Sequence, residues 1–481
     1  VIARTAQGRL RGTTDGDAVR FLGIPYAVPP GQTGRFAAPV PHPPWDGVRD
    51  ALRYGASSAQ PERGATTIPE PVIAGDNELN LNVFTPSLGA AALPVLVWIH
   101  GGGYYAGGSS SPWYRGGAFA RDGVVLVSIN YRLGAPGFLE LPGAPANRAV
   151  RDWILALEWV QQNVAAFGGD PATVTIGGQS AGGGACATLL GAPRARGLFR
   201  RAICMSGGAA LTQTPAGVRA VAAKLAKRLG VPLTGEAFDA VPADVLLAGQ
   251  AALLPGGPDT VTRDAATVAA ALSTPRLPWA PWTDGEVVTD DPVRAAADPR
   301  QAGVGVLAGA TAHEFTGAWR AADWVTGDIV REAFAALGVP AAATEDYLAR
   351  GQRPGEVVGQ AMTDRTFRVP AQELAAAKAD AGGAAFVYDF RWAAPSGLAF
   401  HCLDVPFAFG NLGEPGVMAA AGPAPPEELA GEVHGALVRF VTGGDPGWPR
   451  YDTGARQVML FGTPSAVAAG PLAAERAAWA R

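Results

Sequence analysis

The chain has 481 residues, 48% of them hydrophobic and 17% charged, so it can bury a large core and is too apolar to be disordered. A formal net charge of −4, with no block of Lys or Arg, excludes a dedicated nucleic-acid binder, and no apolar run is long enough to span a bilayer. Cys186, Cys204 and Cys402 are scattered without disulfide or zinc spacing, and the five histidines are too dispersed for an HExxH-type metal site.

In chain order, "PVLVWIH" (Pro94 to His100) is the first β-branched and aromatic run, and it stops at Gly-Gly-Gly. "VVLVSIN" (Val124 to Asn130) is as continuously apolar, the pattern of strands buried on both faces of a parallel sheet. Val150, Ile154, Leu157, Val160, Val164 and Phe167 then recur at three- and four-residue steps, which predicts an amphipathic helix ended by "GGDP". "ATVTIGG" is the next strand, followed by a helix and by the strand "RAICMSGG". A second clear helix places Val218, Val221, Leu225 and Leu229 on one face, and strands return at Gly303 to Gly309 and Ala384 to Phe390. The alternation predicts an α/β fold with a mostly parallel sheet. The residues roughly 210–300 and 318–383 read as insertions capping a single domain over 1–481, not as separate domains.

The chemistry begins at "TVTIGGQSAGG" (Thr173 to Gly183), where a strand runs into Gly-x-Ser-x-Gly and then a helix. In that context the glycines admit a tight, strained turn that exposes Ser180 as a nucleophile, and the helix beginning at Ala181 aims free N–H groups at it. A serine needs a base oriented by an acid, and donors for an oxyanion. The glycines of "HGGGYYAGG" let backbone N–H groups approach a substrate oxygen, which predicts an oxyanion hole from Gly102, Gly103 and Ala181. Of the histidines, His42 and His100 precede the serine, His313 leaves little chain for the acid, and His434 lies in a helical stretch. His401, in the loop after "AAFVYDF", is the predicted base. Glu314, just past "GVGVLAG", is the predicted acid; Asp284 suits a turn and Asp404 breaks the chain order of acid before base. All three positions fall beyond carboxyl ends of strands, where open α/β sheets place ligands.

At this point the chain resembles the type-B carboxylesterase and cholinesterase family of α/β hydrolases, in its bacterial carboxylesterase form. The resemblance runs nearly end to end, through "FLGIPYAVPP", "LNLNVFTP", "VLVWIHGGGYYAGG", "SINYRLGAPGFL", "GGQSAGG", "ATAHEFTG" and "HCLDVPFAFGNL". The last segment is similar to the family's catalytic-histidine segment and selects His401 over His434. The resemblance implies an α/β-hydrolase fold with helical insertions capping the site, and ester hydrolysis through an acyl-enzyme without metal or organic cofactor. Departures stand out. Gln179 replaces the family's usual Glu before the serine, which weakens attraction for cationic substrates. Ser58 and Glu78 stand where the family's N-terminal disulfide is expected, and Trp153 falls in a changed segment beside the retained Asp152.

Candidate pocket residues are Tyr104, Tyr105, Gln179, Phe315 and Phe407. The expected partner is an uncharged, fairly hydrophobic small-molecule ester. A monomer is expected, in the cytoplasm because the disulfide framework is missing; a secreted chain with a processed N-terminus is the alternative. The same machinery would serve carbamates, thioesters or amides, and a reading from another class is a non-catalytic cholinesterase-like interaction domain.

Overall fold

The computed structural model describes residues 1–16, 18–64, 66–207, 211–254, 262–273 and 277–479. Its strands in chain order are β1 Ile2–Arg4, β2 Arg9–Arg11, β3 Thr13–Asp15, β4 Ala18–Pro25, β5 Val48–Asp50, β6 Asn80–Thr85 and β7 Val95–Ile99. They continue with β8 Val125–Ile129, β9 Thr175–Gln179, β10 Arg201–Met205, β11 Gly305–Thr311, β12 Ala385–Phe390, β13 Gln457–Phe461 and β14 Ala466–Ala469. β1, β2 and β5 form a small sheet; the rest form one sheet in the order β14-β13-β12-β11-β10-β9-β7-β8-β6-β4-β3. From β8 across to β13 all neighbours are parallel. β6, β4 and β3 extend one edge antiparallel, and β14 does so at the other.

Every residue of β7, β8 and β9 is buried, as their unbroken apolar runs require of strands covered on both faces. The helix Arg148–Asn163 buries Val150, Ile154, Leu157 and Val160, the predicted stripe. It runs into a 3₁₀ turn that Gly168 ends in the left-handed conformation, φ 85°. Asp152 in this helix forms a fully buried ion pair with Arg132 at 2.6 Å. Trp153 packs at 5.3 Å on Tyr131 and 6.0 Å on Phe138, within the core.

The chain between β10 and β11 carries helices that include Pro215–Leu229 and Ala265–Leu272, and that between β11 and β12 carries Gly327–Ala336, Pro354–Thr363 and Val369–Asp380. The expected start of the first insertion, 210, lies outside the described residues. Val268 and Leu272 from the first insertion share an apolar cluster with Val330, Phe334 and Val358 from the second and with Trp479. The two segments therefore share a core with the C-terminal helix Ala473–Trp479. Ser58 and Glu78 lie close together, since the Ala59 N–H donates to Glu78 Oε2 at 3.2 Å; a polar contact occupies the region of the absent disulfide. Among the described residues no helix is long and apolar enough to cross a membrane.

Candidate active site

Ser180 joins β9 to the helix Ala181–Leu190 with φ 57° and ψ −125°, a strained conformation for a residue with a Cβ. Its N–H donates to the Met205 carbonyl at 2.8 Å and its carbonyl accepts from the Gly184 N–H at 2.9 Å. The flanking glycines have a specific cause. A Cβ on Gly182 would lie 1.9 Å from the Ile99 carbonyl oxygen, and one on Gly178 2.4 Å from the Gly182 carbonyl carbon. The helix start is thus pressed against β7 and β9, and only glycine permits that approach.

The predicted acid and base arrive from neighbouring strands. Glu314 follows β11 and is 3% exposed; its Oε1 accepts the Thr311 N–H at 2.8 Å. His401 lies in the loop after β12, and its N–H donates to the Glu314 carbonyl at 3.0 Å. His313, which is not among the predicted catalytic residues, also ties these loops together. Its N–H donates to the Ala399 carbonyl at 2.9 Å, and its Nδ1 accepts the Ala399 N–H at 3.0 Å. The result is a continuous chain: His401 Nε2 is 2.9 Å from Ser180 Oγ, and His401 Nδ1 is hydrogen-bonded to Glu314 Oε2.

Burial disfavours the His401 cation, yet the Cys402 sulfur and the Glu314 carboxylate raise its pKa well above the ordinary histidine value. Burial also raises the Cys402 thiol above its own ordinary value. That sulfur is therefore neutral near pH 7, and Glu314 is the charge that acts. Asp404 lies buried nearby, raised to about 7 by burial and next by Glu314, and accepts the Tyr388 hydroxyl at 2.8 Å. His434 is satisfied structurally, between the Ala408 carbonyl at 2.8 Å and Asp122 at 2.9 Å.

Gly102 and Gly103, with φ 108° and 63°, border the same cavity as Ser180. A Cβ on Gly102 would fall 2.0 Å from the Ala106 carbonyl oxygen. The loop is anchored by His100, stacked on Tyr131 at 4.5 Å and lowered to about 4 by burial, hence neutral. Ala181 is the first residue of its helix, so its N–H has no partner in a preceding turn.

Ser180 and His401 open on a cavity of about 780 Å³. Tyr105, Gln179 and Phe315 border it. Tyr104 does not. Its φ of 62° turns the ring inward, where it is buried, tilted against Phe138 at 5.0 Å, with its hydroxyl donating to the Leu211 carbonyl at 3.2 Å. Phe407 is also core, packed at 5.2 Å on Phe390 and 5.1 Å on Trp392. Leu277, Trp319, Met362 and Phe367 are cavity walls that the sequence reading missed, because they arrive from the insertions. The charged pair Arg63–Glu70, 2.7 Å apart, adds a rim, with Arg63 over the Tyr105 ring at 5.6 Å. Gln179 accepts the Cys402 thiol at 3.3 Å, and its amide nitrogen lies 3.5 Å from His401 Nε2.

Fold and site together define a serine hydrolase of the α/β-hydrolase fold. A family model described as "Carboxylesterase family" matches residues 1–479, and the chain belongs to that family, as a carboxylic ester hydrolase. Para-nitrobenzyl esterase of Bacillus subtilis (strain 168) is 34% identical over 483 residues, covering 96% of this chain and 94% of that protein. The crystal structure of Geobacillus stearothermophilus carboxylesterase EST55 at pH 6.2 superposes with a TM-score of 0.86 at 33% identity, over 99% of both chains. A structure of PNB esterase gives 0.82 at 30% identity, over 99% of this chain and 98% of that one.

Proposed function

We propose that the chain hydrolyses uncharged carboxylic esters with apolar substituents, using Ser180 as nucleophile, His401 as base and Glu314 as acid. The observation that carries this reading is the unbroken hydrogen-bonded run from Ser180 Oγ through His401 to Glu314, facing the cavity of about 780 Å³. Ser180 Oγ attacks the ester carbonyl and its proton passes to His401 Nε2. Glu314 holds the imidazole tautomer and balances the imidazolium. The N–H groups of Gly102, Gly103 and Ala181 receive the oxyanion, where fixed donors stabilise charge without reorganising. The imidazolium then protonates the departing alcohol, and water repeats the sequence on the acyl-enzyme.

The substrate class follows from the walls. Leu277, Phe315, Trp319, Met362 and Phe367 offer apolar surface, and Gln179 places a neutral amide beside the nucleophile. The rim charges Arg63 and Glu70 are already paired with each other. A p-nitrophenyl ester series of increasing acyl length, run with a choline ester and a carbamate on wild type and Ser180→Ala, tests the reading. It expects turnover of the neutral esters, poor use of the choline ester, and a loss on the order of 10⁶-fold in kcat in Ser180→Ala. Undiminished hydrolysis by Ser180→Ala would overturn it.

A further inference from the structure

The imidazole of His401 is hydrogen-bonded at its edge and also covered on its face. Phe315 stacks on it with ring centroids 5.0 Å apart and planes 29° from parallel. Phe367 lies 5.3 Å from the imidazole at 47°, and the two phenyl rings stack on each other at 5.6 Å and 27°. All three residues border the cavity. We infer that Phe315, backed by Phe367, is a positioning residue for His401: it fixes the imidazole plane toward Ser180 and, through its π face, stabilises the imidazolium formed when Ser180 gives up its proton. The inference rests on the ester-hydrolase reading, which loss of turnover in Ser180→Ala tests separately from anything position 315 does.

The backbone commits both rings to this place. The Phe315 N–H donates to Thr363 Oγ1 at 3.1 Å, and the Thr363 hydroxyl donates to the Gly359 carbonyl at 2.9 Å. Gly359 brings the helix Pro354–Thr363 so close that a Cβ there would lie 2.6 Å from Thr316 Cα. Phe367 sits in the π-helical turn Asp364–Arg368, a device that re-aims side chains and recurs at functional sites. Arg368 pins that turn, 2.7 Å from Asp364 and 2.8 Å from Asp389 on β12, the strand leading to the His401 loop. The capping insertion therefore reaches the base itself.

An aromatic face carries negative quadrupole density, and a cation within roughly 6 Å of the ring centroid is attracted to it. In the active enzyme, whose imidazole is neutral, the cation forms as Ser180 gives up its proton, so the attraction is stronger in the transition state than in the ground state and acts on kcat. The charged and titratable groups facing the imidazole are Glu314, Cys402 and Asp404, and a substitution at position 315 replaces none of them.

Two variants isolate the effect with p-nitrophenyl acetate as substrate. Phe315→Leu keeps apolar bulk but removes the ring. Incorporation of p-cyanophenylalanine at position 315 keeps the aromatic ring while draining electron density from its face. Both are expected to lower kcat by about three- to thirtyfold, to leave KM within about twofold, and to move the apparent pKa of kcat/KM downward. Wild-type kcat and pKa in the p-cyanophenylalanine enzyme, or an effect of either variant confined to KM, would show that Phe315 is only cavity wall and overturn the inference. If Phe315→Leu fails to fold, the p-cyanophenylalanine enzyme decides alone.

Discussion

Ser180 Oγ and His401 Nε2 stand 2.9 Å apart across 221 residues of chain, and the same imidazole reaches Glu314 through its other nitrogen. Since Glu314 holds the imidazole pKa above the ordinary value against the effect of burial, the free base appears only at higher pH. The kcat/KM profile should therefore rise with an apparent pKa above about 6.5. Glu314→Gln removes the charge, so that pKa should fall, while loss of the oriented tautomer cuts kcat by roughly 10⁴-fold. A pH–rate profile of both enzymes checks the sign. An unchanged pKa in the glutamine variant would mean that the carboxylate does not act on the imidazole.

Gln179 invites the opposite change. Its amide nitrogen is 3.5 Å from His401 Nε2, so Gln179→Glu sets a carboxylate where a neutral group now stands. An opposite charge at that range favours imidazolium, and the apparent pKa of kcat/KM should rise by about one pH unit. The kcat/KM ratio of acetylthiocholine to a neutral thioester should rise as well, because the cavity gains its own unpaired anion. Steady-state assays of both substrates across pH report the two effects independently.

The oxyanion loop gives a steric prediction. At Gly102 a Cβ meets the Ala106 carbonyl oxygen at 2.0 Å and the backbone φ is 108°, so alanine can be accommodated only if the loop moves. Gly102→Ala should lower kcat by about a hundredfold or more through misplaced donors. Organophosphate labelling of Ser180 should slow along with it. Circular dichroism and melting close to wild type would locate the damage in the loop.

These residues were legible to different degrees for physical reasons. The strand–turn–helix around Ser180 shows itself in local sequence, because the approach of Gly182 to Ile99 forces glycine at fixed offsets. Glu314 and His401 follow from strand ends and chain order. Tyr104 misled because adjacency to Gly103 says nothing about direction, and a positive φ turns its ring into the core. Phe367 carried no signal, since the π-helical turn that aims it interrupts an otherwise helical pattern with no marker residue. Leu277 and Met362 reach the cavity only through folding of the insertions. His313, set aside as base because it leaves little chain for the acid, stitches the Glu314 and His401 loops by bonds that depend on where Ala399 lies in space.

The buried ionic network behind the site makes a pH-dependent contribution to stability. Asp389 is fully buried, which by itself would raise its pKa, yet Arg368 and then Arg391 pull it below the ordinary carboxylate value. A carboxylate depressed in the folded state contributes stability that is complete above the unfolded pKa of about 3.9 and lost as pH falls through the folded value. The stability difference between wild type and Asp389→Asn should therefore be largest near neutral pH and shrink as pH drops below about 4. Removing the shared cation is more severe: Arg368→Leu takes the guanidinium from buried Asp364 and leaves buried Asp389 with Arg391 alone, at a cost of about 3–5 kcal/mol. Urea unfolding at several pH values measures both. A gap between wild type and Asp389→Asn that stays constant down to pH 3 would mean that Asp389 gains nothing from its guanidinium neighbours.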